Sequence, residues 1–401
     1  MLFDFNQYSA PLLIFFVHGL VYAGLLAQRG LREGRRSDGW LAGFLLLCVL
    51  HIAPWMLGFA GWYDNQPYRD LLFYIPFQHL FALGPLVYFY VQSLLNPSFR
   101  FNRRAALHCL PAVAYLAYAG VIVVTDKLVL RRYWFLADGS DPDFSLWYQL
   151  AGFVSMVTYG YGSLRYYQHF RLLMLQVSSN AEGLAFRWVR RFLLAFLAML
   201  LLRVVFFLVS LAGFTDYSDS WWYYLGFGVL FYAIAIRGYG NAQQATVGYR
   251  ALLSEEKAVL LPEGPVPAGG EEEPIPVSVE ESAPATDPLA GEWKGRIEAL
   301  LAGEAPYRDP ELSLSALAGR LGLPAAQLSR IINKGYGCNF NDFINGYRVR
   351  AVQDELAAGA HLRQTLVSIA YDCGFNSKAT FNRAFLKHTG KAPSDFVRSL
   401  E

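Results

Sequence analysis

Residues 374–396 read GFNSKATFNRAFLKHTGKAPSDF, and this stretch has the pattern of a glycine turn followed by an amphipathic helix. Phe381 and Phe385 recur at helical spacing and belong to one apolar face. Either Asn376 or Ser377 can cap this helix, since both residue types favour the capping position. A second apolar helix comes before the turn. A short helix, a glycine turn and a further helix together predict a helix-turn-helix unit.

The same pattern occurs earlier in the chain, over residues 313–333. Ser313 can cap a short apolar helix, Gly322 can end it, and Pro324 can open the next helix. Between the two units, residues 340–356 place apolar side chains at core spacing over a longer helix. Two such units joined by a stiff helix can hold two recognition helices roughly one duplex turn apart.

An α-helix turns by about 100° per residue, and at this angle the polar side chains of these helices lie on the faces opposite the apolar ones. In the joining helix, Arg348 and Arg350 lie on or beside the exposed side. Arginine and lysine can bind guanine edges, and alanine can contact a thymine methyl. The polar faces of the two recognition helices hold Ala326, Ser329, Arg330 and Asn333 in the first unit, and Lys378, Ala379, Asn382, Arg383 and Lys387 in the second.

Many positions in both units carry the residues of a known family signature. In the second unit these are Gly374, Phe375, Ser377, Phe381, Arg383, Phe385, Lys387, Gly390, Pro393 and Phe396. In the first unit they are Leu317, Ala318, Leu321, Leu328, Arg330, Gly337, Phe340 and Arg348. The segment from about Leu312 to Leu400 resembles the DNA-binding domain of AraC/XylS-type transcriptional regulators.

This resemblance implies a function and a set of contacts. In that family both recognition helices enter successive major grooves on one face of the DNA. Two departures bear on sequence preference: Pro324 stands where a Ser or Thr cap is usual, and the alanines at 326 and 379 shorten the list of base hydrogen bonds. Carried over by position, the residues that contact DNA are Ala326, Ser329, Arg330, Lys378, Ala379, Thr380 and Arg383.

The first 237 residues are much more apolar than this domain. Of 401 residues in the chain, 54% are apolar and only 16% are charged, against roughly 25% charged in soluble proteins. This composition excludes a disordered protein and disfavours a soluble enzyme. A helix needs about 20 apolar residues to cross a bilayer. Windows of that kind, free of charge apart from Arg203, cover residues 5–28, 39–63, 71–99, 105–125, 144–164, 192–215 and 220–236.

These windows predict an all-α protein whose residues 1–237 form a seven-helix transmembrane bundle, and the loops give its orientation. The odd-numbered loops hold 12 Lys and Arg and the even-numbered loops hold 4. Because basic residues accumulate on the cytoplasmic side, the N-terminus is predicted to be outside and the C-terminus in the cytoplasm. The prediction is a multi-pass protein of a bacterial inner membrane.

Residues 238–290 differ from both flanking regions, with 2 Lys and Arg against 9 Asp and Glu. Their proline-, glycine- and glutamate-rich composition predicts a flexible acidic linker, preceded by a short helix at 243–260. Residues 291–401 then form the DNA-binding domain, with a net charge of +3. For residues 169–191, which mix apolar and basic side chains, two interpretations are open: a helix along the inner membrane surface, or a solvated loop.

Polar residues inside the predicted spans are the candidates for ligand binding. Arg203 lies near the middle of the sixth window, and no Asp or Glu lies inside any window to pair with it. An anionic ligand is one partner for Arg203; backbone carbonyls, buried water or snorkelling are the alternatives. His18, His51 and His79 are also candidate ligand-binding residues: they form either a metal-binding or proton-sensing cluster, or a set of interhelical hydrogen bonds. The prolines at 54, 76, 85 and 111 are placed to kink their helices.

The sequence therefore predicts a membrane-tethered one-component transcriptional regulator with no cofactor, no metal and no enzymatic activity. The predicted partners are double-stranded promoter DNA, the lipid bilayer, RNA polymerase, an unknown small-molecule or membrane signal, and a second copy of the chain. Two rival classes are open. One is a transporter or channel with a regulatory cytoplasmic tail, which broken helices would support. The other is an intramembrane enzyme with a metal held by the three histidines.

Overall fold

The structure is a computed structural model, and it describes residues 3–96, 99–137, 141–179, 186–214, 216–241 and 288–400. Over these ranges the chain is helical, with no β-strand and one isolated bridge between Ser178 and Ser313. The prediction of an all-α fold is confirmed for them. The predicted linker at 238–290 and the short helix at 243–260 fall almost wholly outside the described residues. The chain divides into two compact units, residues 1–169 with 185–248, and residues 170–184 with 249–401.

The first unit has nine α-helices among its described residues, and two of the seven apolar windows, 71–99 and 105–125, each contain parts of two helices. A π-helical turn, Val124–Val129, continues the sixth helix, and the seventh extends into the second unit. In chain order the helices are α1 (Ser9–Glu33), α2 (Arg36–Phe59), α3 (Tyr68–Tyr74), α4 (Leu80–Leu95), α5 (Arg103–Leu107), α6 (Leu110–Val123), α7 (Leu146–Val177), α8 (Phe186–Leu211) and α9 (Ser220–Gly240).

Four of these segments are long and apolar enough to cross a membrane, judged by length and composition. They are α1, α2, α6 with its π-helical continuation, and α8. Helix α4 is apolar but shorter, with 16 residues. The count of seven spans stays a prediction.

Helix α2 is the central helix of the first unit. In its apolar window 67% of the residues are buried, against 22% in α1, 17% in α6 with its continuation and 28% in α8. Glycine lets neighbouring helices pack closely against α1: a Cβ at Gly19 would meet Val49 of α2 and Phe231 of α9. The apolar side chains that α1, α6 and α8 leave exposed form the kind of surface that marks a membrane or partner contact.

The third predicted span is not one helix. It is divided into α3 and α4, and residues 75–79 between them are not helical. Pro76 lies in this break; proline has no N–H to give, and it restricts the residue before it. The freed backbone donors are bonded by side chains, Phe77 and Gln78 to Asp143 and Leu80 to the Tyr148 hydroxyl. Irregular backbone inside a bundle is tolerated where such partners are present.

The second unit contains two helix-turn-helix units and the helix that joins them. Its helices are α10 (Pro288–Gly303), α11 (Leu314–Leu321), α12 (Ala325–Tyr336), α13 (Phe340–Ala357), α14 (Leu366–Asp372), α15 (Lys378–Thr389) and α16 (Pro393–Arg398). The capping signals of the sequence are confirmed. Ser313 accepts a hydrogen bond from Ala316 N, and Ser377, rather than Asn376, caps α15 by accepting one from Thr380 N. Gly322 ends α11 in the left-handed conformation.

Each helix-turn-helix unit has its own apolar core, and α13 contributes to both. Its N-terminal half, with Phe340 and Ile344, packs with the core of α10, α11 and α12. Its C-terminal half, with Val352 and Leu356, packs with the core of α14 and α15. One continuous helix therefore fixes the spacing of the two units.

Candidate nucleic-acid interface

The first recognition helix, α12, exposes part of its predicted polar face. It begins after Pro324, which makes no side-chain cap, as the departure from the family pattern predicted. Helix α12 ends at Gly337, whose φ is +69°. Arg330 and Asn333 are exposed along the helix. These two side chains can reach a base edge or a phosphate.

The predicted exposure of Ala326 and Ser329 is wrong. Both are buried, with 8% and 3% of their surface exposed. Ser329 lies about 100° from Leu328 around the helix, but it lies only about 60° from Ile332, which belongs to the same buried stripe. Its hydroxyl accepts a weak hydrogen bond from Asn333 Nδ2, 3.4 Å away.

The second recognition helix, α15, exposes more of its predicted face. Lys378, Ala379, Asn382 and Arg383 are all exposed. Thr380 is buried, which corrects its predicted place on the DNA side: its Oγ1 lies 2.8 Å from Ser377 Oγ, inside the helix cap.

Lys387, one turn beyond Arg383, forms an ion pair inside the domain. Its Nζ lies 2.8 Å from Asp342 Oδ2 of α13, so the pair connects the second recognition helix to the joining helix. The Lys387 side chain is more than half exposed, and exposed pairs of this kind contribute little stability. Another anion can therefore compete with Asp342 for Lys387 at small cost.

Arg348 is the largest difference between the sequence prediction and the structure of this domain. It was placed on or beside the exposed side of α13, but only 2% of it is exposed. It donates to the carbonyls of Tyr307 (2.7 Å), Asp309 (2.7 Å) and Ser179 (3.2 Å), and to Ser179 Oγ (3.0 Å) and Asn345 Oδ1 (3.3 Å). Burial lowers its pKa to about 10, which leaves it charged at neutral pH. Arg348 therefore holds the domain together rather than facing DNA.

The first unit contains a second polar site, built around Arg203 of α8. Arg203 is 8% exposed and donates to Gln78 Oε1 (2.9 Å), Gln149 Oε1 (2.8 Å) and His51 Nε2 (3.2 Å). Its Nε has no hydrogen-bond partner within the part of the chain that the structure describes. We call Arg203, Gln78, Gln149 and His51 the Arg203 centre. Side-chain amides and an imidazole, rather than backbone carbonyls, hold the guanidinium.

The sequence analysis missed Asp143, a buried carboxylate beside this centre. Asp143 Oδ2 accepts hydrogen bonds from the backbone N–H groups of Phe77 (2.8 Å) and Gln78 (2.9 Å), and its Oδ1 accepts one from the Tyr115 hydroxyl. Its main-chain carbonyl accepts from Gln149 Nε2 at 2.6 Å. Two glutamines therefore connect the positive charge to the negative one. Asp143 directly precedes the fifth apolar window, which is the signal that could have identified it.

The three histidines do not converge. His51 contacts Arg203 and lies 3.0 Å from the Tyr223 hydroxyl, whereas His18 is exposed and bonds the Ile14 carbonyl of its own helix at 2.8 Å. His79 is half-buried at the start of α4. Among the described residues, no group of three His, Cys, Asp or Glu could hold a metal ion. This finding contradicts the metal cluster on which the intramembrane enzyme depended.

Comparison with known proteins agrees with the geometry of the second unit. Residues 317–399 match a family described as a helix-turn-helix domain. This segment is an AraC-type helix-turn-helix domain, a domain of DNA-binding transcriptional regulators. Comparison with curated proteins gives no match. Among solved structures, a protein of unknown function from Listeria innocua is similar, with 26% identity over 28% of this chain and 98% of that chain, at a TM-score of 0.23 that is too low to compare folds.

Proposed function

We propose that this chain is a membrane-tethered transcriptional regulator that binds promoter DNA sequence-specifically. The observation that carries the proposal is the pair of recognition helices, each exposing an arginine, Arg330 on α12 and Arg383 on α15, and joined by the single helix α13. Arginine is the commonest residue in specific guanine contacts and also binds phosphates. RNA polymerase and a second copy of the chain are proposed partners. No enzymatic activity is proposed.

Replacing Arg330 and Arg383 together with alanine is expected to abolish promoter occupancy. Each lost base contact costs about 1–3 kcal/mol, and each lost phosphate contact weakens binding to all sequences. The measurement is genome-wide DNA occupancy of the full-length protein in its own host. Discrete wild-type peaks that vanish in the double variant support the proposal.

The matched control removes two exposed arginines of the same domain that lie outside the recognition helices. Arg320 pairs with Glu304 of α10 at 3.3 Å, and Arg398 pairs with Asp395 at 3.4 Å. Arg320→Ala/Arg398→Ala lowers the domain charge equally and removes only exposed ion pairs of small value. Equal loss of peaks in the control would show that net charge, not the recognition helices, determines binding.

The membrane tether is proposed from the apolar helices of the first unit. Helices α1, α2, α6 with its continuation, and α8 have the length and hydropathy of spans. We propose seven spans in a bacterial inner membrane, with the N-terminus outside and the DNA-binding domain in the cytoplasm, since basic residues favour the cytoplasmic side.

We further propose that the Arg203 centre detects the signal and that the signal carries a hydrogen-bond acceptor or a negative charge. The support is a buried guanidinium with an unpartnered Nε, beside a helix break at residues 75–79. Ionisable groups at such depth are costly and are commonly functional. Gln78 and Gln149 neutralise no charge, so a ligand can compete with them for Arg203. His51 belongs to this proposed site; His79 and His18 do not.

Arg203→Met is expected to fix promoter occupancy at one level across growth conditions, while the protein still accumulates in the membrane. Methionine fills much of the arginine volume but donates no hydrogen bond. The measurement is the occupancy profile over a panel of growth conditions that change wild-type occupancy. His18→Phe is the control, because His18 is exposed. A condition response that survives Arg203→Met would remove the centre from the sensing role.

One observation favours the transporter alternative. Transporters bind substrates where membrane helices are interrupted, and the break between α3 and α4 brings Gln78 to Arg203. Absence of promoter peaks under every condition, with the protein present in the membrane, would favour transport over regulation.

A further inference from the structure

The end of α7 packs into the second unit, which contains the helix-turn-helix domain and is called the DNA-binding unit below. The helix runs from Leu146 to Val177 without interruption, and its residues from 170 onward group with the second unit. Among these residues, Phe170, Met174 and Val177 are buried. We call residues 170–179 the docking segment. The second unit is therefore assembled from two distant stretches of chain, the docking segment and residues 288–400.

The docking segment meets the first helix-turn-helix unit at its start. Ser178 pairs with Ser313 in an isolated antiparallel bridge, and Ser179 N donates to the Leu312 carbonyl at 3.2 Å. Ser313 is also the residue that caps α11. The contact therefore lies at the point where the first helix of this unit begins.

The joining helix α13 holds the docking segment with two buried side chains. Asn341 Nδ2 donates to the carbonyls of Ser179 (2.9 Å) and Ser178 (3.2 Å). Arg348 donates to Ser179 through both of its terminal nitrogens, at 3.2 Å to the carbonyl and 3.0 Å to Oγ. These bonds exchange for water when the segment leaves, so their net contribution to the stability of the contact is modest.

The same helix α7 also reaches the Arg203 centre. Gln149, in its first turn, accepts a hydrogen bond from Arg203 at 2.8 Å. Its 32 residues rise about 48 Å at 1.5 Å per residue, whereas the hydrocarbon core of a bilayer is about 30 Å thick. A change at the Arg203 centre can therefore be carried along one stiff helix to the docking segment.

We propose that the docking segment restrains DNA binding, and that the signal at the Arg203 centre releases it through α7. This inference rests on the proposed function. In the docked state the start of α11 and the helix α13 are both bonded to the docking segment, so the helix-turn-helix units are held on the end of α7. Release frees residues 288–400 from α7, so that both recognition helices can orient on DNA.

Ser179→Pro tests the restraint without changing any residue of the helix-turn-helix units. Proline removes the N–H that bonds the Leu312 carbonyl, and the Oγ that Arg348 binds is lost with it. Promoter occupancy is expected to rise about fivefold or more, in the range of ordinary allosteric couplings, and to become insensitive to Arg203→Met. Ser179→Ala, which keeps the N–H, is expected to give a smaller rise. Arg171→Ala, at an exposed position of the same segment, is the control and leaves occupancy unchanged.

A disulfide assay tests the contact itself, independently of DNA. Residues paired across an antiparallel bridge have Cα atoms about 4.5–5.5 Å apart, which suits a disulfide. Ser178→Cys/Ser313→Cys is placed in a Cys109→Ser/Cys338→Ser background, with a protease site inserted within residues 261–290. After oxidation of isolated membranes and cleavage, the DNA-binding fragment is expected to stay membrane-bound until the disulfide is reduced. Ser178→Cys/Ser394→Cys is the control and releases the fragment.

The outcomes separate the two proposals. No disulfide between 178 and 313, or unchanged or lower occupancy in Ser179→Pro, overturns the restraint while wild-type promoter peaks uphold the proposed function. No promoter peaks in any variant rejects the proposed function, and the restraint falls with it, whatever the disulfide assay shows.

Discussion

Gly374→Ala is expected to unfold the second helix-turn-helix unit. Gly374 has φ of +94°, in the region that non-glycine residues avoid at a cost of about 1–2 kcal/mol. A Cβ at this position would overlap the Tyr307 carbonyl oxygen and lie 2.8 Å from Arg308 Cα. Both are backbone atoms, so no side chain can turn aside, and overlap of this kind costs about 1–3 kcal/mol more.

The measurement is hydrogen exchange of the full-length protein in detergent or membranes, read over α14 and α15. Loss of about 2–5 kcal/mol of protection is expected there, and promoter occupancy is lost with it. Gly322→Ala is the matched control: its φ is +69°, but beyond the adjoining backbone no atom lies within 4 Å of the added Cβ. It is expected to cost only the conformational part, about 1–2 kcal/mol. Equal effects of the two substitutions would show that steric overlap at Gly374 is absent.

The capping and turn residues of the second unit could be predicted because their signals are local. Ser313 and Ser377 bond backbone groups three residues away, and Gly322 adopts its left-handed conformation at the end of its own helix. Such bonds depend on the types and spacing of neighbouring residues alone. For the same reason, the residue type at position 324 was enough to predict that α12 has no side-chain cap.

The hydrogen-bond partners of Arg348 could not be predicted because they are distant in the chain. Its acceptors belong to Tyr307, Asp309 and Ser179, and two of its five bonds come from a segment that precedes it by 169 residues. All but one of the acceptors on those residues are main-chain carbonyls. Every residue carries such a carbonyl, so the residue types give no indication that these positions bind Arg348. The spacing of Phe340, Ile344 and Arg348 along one face of α13 was the available signal.

For a similar reason, Arg203 and His51 of the Arg203 centre were predicted as candidates, whereas Gln78 and Gln149 were not. Arg203 could be identified because it is the lone charged residue inside an apolar window. Its partners Gln78 and Gln149 are uncharged, and the helix break that places Gln78 depends on how the backbone donors at 77 and 78 are bonded by Asp143. The apolar windows therefore predict helices in the first unit, but they do not predict the break between α3 and α4.

Arg348→Ala is expected to destabilise the DNA-binding unit as a whole and to free the docking segment. Arg348 spans the turn at Tyr307 and Asp309, the docking segment and α13, and its guanidinium lies 6.0 Å from the Phe375 ring of the second helix-turn-helix unit. Truncation leaves the buried Ser179 carbonyl and the partly buried carbonyls of Tyr307 and Asp309 without this donor, at up to about 1–3 kcal/mol each. A loss of about 3 kcal/mol or more is therefore expected.

Arg350→Ala is the matched control on the same helix. Arg350 is exposed and lies over the Tyr347 ring, 5.2 Å from its centroid, a contact worth about 0.5–1 kcal/mol at an exposed site. Hydrogen exchange over α11 to α15 of the full-length protein is the measurement. Lower protection on both sides of α13 in Arg348→Ala, with Arg350→Ala close to wild type, is the expected result. Protection lost only near Ser179 would mean that Arg348 serves the docking contact alone, because the carbonyls of Tyr307 and Asp309 would then have found water in its place.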